Sequence, residues 1–240
     1  MNWNSLIGRR RPLEIDALRL STLIHQLGKA IDDTPGIVRR IDGEIRLQTL
    51  DHLVRHPTTL AYVLLDQVIR RDDLADRRGT LARRIRQLLA NERQQHLPAR
   101  RRRPWQSKPD GLINLTQHPF VPPRWQRLDD VLAYLSTRGL VRVSAQRPNS
   151  EKPAFLSYDL TSTAAEILER DLYPKDRNAM LHIQLCGVIN DLLPPFSGKR
   201  WQALMGDIET NLQTFHREEQ LAPEEDVLSA LFFNTFQERL

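Results

Sequence analysis

Residues 124–170 read RWQRLDDVLAYLSTRGLVRVSAQRPNSEKPAFLSYDLTSTAAEILER, and the change of period inside this stretch decides the fold. Trp125, Leu128, Val131, Leu132 and Leu135 recur at three- and four-residue spacings, which predicts a helix over Arg124–Arg138 with those side chains inward. Gly139 follows where a left-handed cap belongs. Leu140-Val141-Arg142-Val143 then reads as a strand, and the polar, proline-flanked Gln146–Pro153 as a loop tip. From Phe155 to Leu160 the period is two, with Leu156, Tyr158 and Leu160 on one face. Thr161 can cap the next helix, Thr163 with Glu166 offers a second capping-box register, and Ala164, Ile167, Leu168 and Leu172 form its apolar stripe.

Upstream, Leu13, Ile15, Leu18, Leu20, Leu23, Ile24, Leu27 and Ile31 predict an amphipathic helix over about 13–31, ended by Asp32-Asp33-Thr34-Pro35-Gly36. Ile37–Ile41 and Glu44–Leu47 flank Asp42-Gly43, the usual sequence of a two-residue hairpin turn. Helical periodicity returns over about 48–56 and is broken by Pro57. Thr58 or Thr59 can cap a helix through Leu60, Val63, Leu64, Val68 and Ile69, and a further helix is predicted from about Thr80 to His96. Residues 97–123 hold six of the fifteen prolines and the run Arg100-Arg101-Arg102-Arg103, which reads as a linker or surface loop. Downstream, three helices are predicted over about 176–193, 198–218 and 223–238. The expected fold class is therefore mainly α with small β-hairpins. Its parts are a helical N-terminal lobe (1–97), a Pro/Arg-rich linker (98–123), a module of helix, two strands and helix (124–175) and an acidic helical tail (176–240).

Composition narrows the classes. A chain of 240 residues that is 40% apolar and 27% charged can bury a core. No stretch approaches the roughly 18 uninterrupted apolar residues of a membrane span, and no apolar run follows the first arginines as it would in a secretory signal. A single cysteine, Cys186, excludes an intrachain disulfide framework. The expectation is a soluble, cytoplasmic protein. The net charge of +5 is unevenly spread: residues 1–110 carry 22 Lys/Arg and 13 Asp/Glu, and residues 171–240 carry 6 and 11. Such asymmetry points to a polyanion partner for the front half, although 30 of the 35 basic residues are Arg, as GC-rich coding also produces.

With these elements in view, 124–170 resembles the winged-helix superfamily: a helix, a Gly-terminated turn, a strand, a polar wing, and a return strand closing on Tyr158-Asp159-Leu160-Thr161 before a helix. The resemblance covers about a fifth of the chain. It implies that 124–138 is the recognition helix and Gln146–Pro153 the wing. The outer face of that helix offers Gln126, Arg127, Asp130 and Tyr134 with Asp129 beside them, and two adjacent carboxylates are unlike the usual DNA-reading set. The wing's Arg147 and Lys152, with Arg124 and Arg127, can still touch a phosphate backbone. The stronger feature is the segment from Arg77 to Arg103, where Arg77, Arg78, Arg83, Arg84, Arg86, Arg93 and Arg100–Arg103 face one acid, Glu92. Arginines in this density bind phosphates without reading bases; the alternative is a solvated helix followed by a basic linker.

Catalytic patterns are missing. His52 and His56 stand four apart near Asp51, but no HExxH accompanies them. Arg46 and His52 have the Arg-x5-His spacing of a helical RNase family, a spacing common by chance in an Arg-rich chain. Gly198-Lys199-Arg200 lacks the rest of a phosphate loop, no GxSxG occurs, and Cys186 lies in the apolar run of Ile183, Leu185 and Val188. The Asp32-Asp33, Asp72-Asp73 and Asp129-Asp130 pairs are sequence neighbours that point apart in a helix. The expectation is no enzyme, no metal, no cofactor and no small-molecule substrate.

Two readings remain. One is a DNA-binding accessory protein or transcriptional regulator that contacts double-stranded DNA. The other is an adaptor whose winged helix and apolar tail, with Leu228, Leu231, Phe232, Phe233 and Phe236, dock on a protein partner. The tail residues equally well complete a core. The layout, a helical lobe opening with Arg11-Pro12-Leu13-Glu14-Ile15 followed by a late winged helix, is similar to small winged-helix accessory subunits of bacterial SMC-like ATPase complexes in chromosome maintenance and antiviral defence. That similarity implies an SMC-like ATPase as the partner and carries over no functional residue.

Overall fold

Why the strands and helices of this chain meet as they do is visible in a computed structural model, which describes residues 12–55, 57–70, 79–87, 123–147, 154–193, 199–204, 206, 232–233 and 235–237. The described fold is mainly helical with one small four-stranded antiparallel sheet. Two compact units divide the chain: residues 1–52 with 122–190, and residues 53–121 with 191–240.

In the first unit, α1 (Pro12–Leu27) leads into β1 (Lys29–Ala30) and β2 (Ile37–Asp42), and α2 (Glu44–Arg55) begins at once. The chain re-enters this unit with α4 (Pro123–Thr137), β3 (Val141–Gln146), β4 (Phe155–Thr161), α5 (Ser162–Ile167), a π-helical turn (Leu168–Leu172) and α6 (Arg177–Leu192). The sheet order is β1-β2-β4-β3, so β4 is central, pairing Ile41 with Tyr158 on one side and Val143 with Tyr158 on the other. α1 packs on α4, β2 and β4. The core holds Leu20, Leu23 and Ile24 of α1, Ile37 and Ile41 of β2, Leu47 and Leu50 of α2, Leu128, Val131 and Leu135 of α4, and Tyr158 and Leu160 of β4. In the second unit, α3 (Pro57–Arg70) buries Leu60, Val63, Leu64, Leu65 and Val68, and the helical residues 79–87 bury Leu81, Ala82 and Ile85.

Two local expectations change. Asp42-Gly43 does not turn a hairpin: Gly43, at φ +90°, ends β2, and Glu44-Ile45-Arg46-Leu47 open α2. The Leu47 amide donates to the Gly43 carbonyl, and β2 pairs not with Glu44–Leu47 but with β1 on one side and, on the other, with β4, more than a hundred residues later. The strand pairing therefore unites 12–52 with 122–190, whereas the sequence expectation separated a lobe at 1–97 from a module at 124–175. Period identifies a strand but not its partner. The predicted first helix also stops at Leu27, and Ile31 lies beyond β1. Residues 88–122, 148–153, 207–231 and 238–240 lie outside the described residues, and with them the expected linker, most of the expected wing and most of the two last predicted helices.

Two caps hold β3 and β4 in place. At Gly139, φ +67°, the Gly139 amide donates to the Ser136 carbonyl and Leu140 to Leu135, the paired bonds that close a helix on a left-handed residue. Thr161 is the cap of α5: its Oγ1 accepts from the Ala164 amide at 3.3 Å and lies 3.0 Å from the Gly139 carbonyl. One hydroxyl thus ties the start of α5 to the end of α4. Thr161→Val keeps the shape and loses both bonds, and a urea titration is expected to show a loss of about 1–2 kcal/mol.

Candidate functional site

Each arginine of the basic segment that the structure describes is positioned by the helical residues 79–87. Leu81, Ala82 and Ile85 point inward, which leaves Arg83 exposed. Arg84 Nη1 pairs with Asp191 Oδ2 at 2.6 Å, and the Arg86 guanidinium lies 5.0 Å from the centroid of the Phe232 ring. Two of these three arginines are therefore engaged by the chain's own C-terminal segment. Arg77, Arg78, Arg93 and Arg100–Arg103 lie outside the described residues, as does Lys152. Arg124 and Arg127 lie in α4, but their side chains are also outside them. Arg147 is exposed just beyond β3. Of the tail residues, Phe232 is buried and meets the Phe236 ring at a tilt, with centroids 4.7 Å apart, while Phe233 is 46% exposed. Phe232 thus belongs to a core, as one of the two sequence readings had it; Leu228 and Leu231 are outside the described residues.

The two faces of the four-stranded sheet differ in chemistry. One carries Lys29, Arg40, Asp159 and Arg142 in a row across all four strands, from the register Lys29–Arg40, Arg40–Asp159 and Arg142–Asp159. Arg40 grips Asp159 with Nε and Nη2 at 2.5 and 3.0 Å, and that hydrogen bonding raises the Arg40 pKa further. Asp159 is buried, so its charge is matched by a bidentate guanidinium. The opposite face carries Val141, Tyr158 and Leu160, all buried, and then Val143, Ala145 and Leu156, which are exposed. Asp129 and Asp130 of α4 are exposed as well, with Tyr134 half-buried beneath the Arg138 guanidinium at 4.4 Å.

Inside the first unit sits an ionic cluster that the sequence did not reveal. Arg19 donates through Nη1 to Asp16 Oδ1 at 2.5 Å and through Nε to Asp51 Oδ1 at 2.8 Å, with all three side chains under one-tenth exposed. Burial opposes the Arg19 charge, but Asp51 and Asp16 outweigh it and hold its pKa above the ordinary guanidinium value. His182 of α6 feels the same cluster: burial first, then Arg19, push its pKa down to about 4 against the pull of Asp176, Asp51 and Asp16. A second histidine, His25, is held between Tyr173, whose hydroxyl is 2.9 Å from Nδ1, and Glu169, 3.3 Å from Nε2. Glu169 lies in the π-helical turn and Tyr173 just after it, and burial lowers the His25 pKa.

None of this assembles a catalytic constellation among the described residues. His52 and Arg46 project from α2 at positions six apart, and Arg46 Nη2 donates to the Leu27 carbonyl at 3.4 Å. Burial pushes the Cys186 thiol up to about 12, far from a reactive thiolate. No group of three or more His, Cys, Asp or Glu among the described residues is arranged to hold a metal ion. Among the same residues no helix is long and apolar enough to cross a membrane. A small apolar groove does open between α1, the end of α4 and α5, lined by Leu18, Ser21, Tyr134, Leu140, Ile167 and Leu172 among others. No protein-family model, curated protein or solved structure matches this chain.

Proposed function

We propose that the chain is a non-enzymatic, cytoplasmic accessory protein of winged-helix build that holds a nucleic-acid backbone through its arginine-rich segment. The element order α1, β2, α2, α4, β3, β4 with the sheet order β2-β4-β3 supports the winged-helix reading. In that reading α2 and α4 form the helix–turn–helix, and residues 56–122 are an insertion at its turn. The observation that carries the nucleic-acid reading is the charge of residues 77–103, ten arginines against one acid. Exposed Asp129 and Asp130 on α4 argue against base reading by that helix, and so against a sequence-specific transcriptional regulator. A place beside an SMC-like ATPase rests on similarity of layout alone.

Fluorescence anisotropy of the full chain with a duplex of about 40 base pairs, at about 50 and about 200 mM salt, tests this reading. Binding is expected to weaken on the order of a thousandfold between the two if about six phosphates are neutralised. Changing Arg100–Arg103 to Ala is expected to flatten the log–log salt slope by about three to four. An absence of binding at low salt overturns the reading. A second reading, a protein adaptor, is favoured by Arg84 and Arg86 being taken up by Asp191 and Phe232, which leaves fewer charges for phosphate.

A further inference from the structure

We propose that the face between α4, the start of α2 and the helix-side surface of β3 and β4 is a docking surface for a segment of another protein that carries aliphatic side chains flanked by Arg or Lys. The apolar part follows from strand register. Tyr158 and Leu160 of β4 lie under the helices, with Val141 opposite Leu160 on β3. The next rank outward pairs Ala145 with Leu156, and the cover has ended there: Leu156 and Val143 are each 38% exposed. Ile45 extends the patch. The Gly43 amide donates to the Leu156 carbonyl at 2.8 Å, which brings the first turn of α2 beside the wing, and Ile45 is 40% exposed.

The acidic part frames it. Glu44 stands beside Ile45, and Asp129 and Asp130 project from α4; all three are exposed. Glu44 and Asp129 stand on different helices, and after burial their charges are the next causes that raise the Tyr158 phenol pKa. An apolar strip between carboxylates from two helices repels phosphate and rejects an acidic protein, while it rewards aliphatic anchors flanked by cations. Arg142 lies on the opposite sheet face, in the row with Asp159, and Arg147, exposed just beyond β3, is one cation against the three carboxylates. This assignment stands apart from the duplex reading of the arginine segment, so either can fail without the other.

The test uses the full chain and two labelled probe peptides of about twelve residues, one alternating Val with Arg and one alternating Val with Glu. The basic peptide is expected to bind and the acidic one not. The double variant Val143→Ser/Leu156→Ser, at exposed positions, is expected to weaken the basic peptide at least tenfold, and Asp129→Asn/Asp130→Asn at least threefold. Duplex DNA supplies the opposite sign: the Asp→Asn pair leaves its binding equal or tighter. Far-UV circular dichroism confirms that each variant is folded, and Val143→Ala/Leu156→Ala serves where the serine pair is not. The proposal is overturned if neither peptide binds, if both bind alike, if the variants bind as the parent does, or if the patch variants weaken duplex instead of peptide.

Discussion

Arg19→Met is expected to lower the unfolding free energy of the first unit by about 3–5 kcal/mol at pH 7. Met fills a similar volume, so little of the loss is packing. The cost arises from Asp16 and Asp51, whose carboxylates lose the guanidinium that donates to both of them while they stay buried at 6% exposure each. Removing the charges together has a different result: Arg19→Met with Asp16→Leu and Asp51→Leu is expected to recover most of the loss, because no uncompensated ion remains. Urea titrations give the total, and amide exchange at Leu20, Leu23 and Ile24 locates it on α1. A loss below about 1 kcal/mol for the single variant would mean that water reaches the carboxylates and that the cluster is not dry.

What the sequence disclosed follows from what periodicity measures. Helices with a single apolar stripe were legible to within a few residues: 123–137, 162–167 and 177–192 match expectations drawn from Leu128, Ala164 and Leu185 spacings. The alternation at Leu156, Tyr158 and Leu160 marks β4, and the cap that Thr161 offers in the sequence is the one that accepts from the Ala164 amide. Pairing was not legible. Asp42-Gly43 has strong turn chemistry, and that local preference hid the fact that Gly43 serves as well to start a helix at Glu44. The strand β2 was recognised, but nothing in Ile37–Asp42 names Ser157–Thr161 as its partner.

The functional surfaces divide along the same line. Arginine density is a property of sequence, and it stood out at once. Which arginines are engaged depends on Asp191 and Phe232, more than a hundred residues away, and no local rule links them. Arg19, Asp16 and Asp51 are a further case, since charged residues on an amphipathic helix read as solvated unless the neighbouring helix is known. The exposed rank of Val143, Ala145 and Leu156 escaped for the converse reason. Alternation assigns Leu156 to the inner face, but how far the helices cover that face depends on tertiary packing that alternation does not encode.

Acid is expected to weaken the first unit through His182 in a window set by its two pKa values. In the unfolded chain His182 titrates near 6.5, and in the folded one near 4. Its folded pKa is depressed, so between those values the unfolded chain binds a proton that the folded chain does not. Stability is therefore fully present above about pH 6.5, falls as pH drops towards 4, and levels off below that. The shift corresponds to about 3 kcal/mol at most. Urea titrations between pH 7 and 4 are expected to show this slope, and His182→Gln to remove its share, leaving the smaller contribution of His25, whose pKa is lowered in the same sense. The two clusters are one system: Arg19 lowers the His182 pKa, whereas Asp16, Asp51 and Asp176 raise it. In Arg19→Met the opposing cation is gone and the carboxylates remain, so the His182 pKa should rise, while burial, the larger cause, still holds it below the ordinary value. The penalty of Arg19→Met is accordingly expected to shrink from pH 7 to pH 5 while the parent protein loses stability over the same interval, and in Arg19→Met/His182→Gln that acid rescue should shrink. A penalty independent of pH in both backgrounds would show that His182 and Arg19 do not share a field.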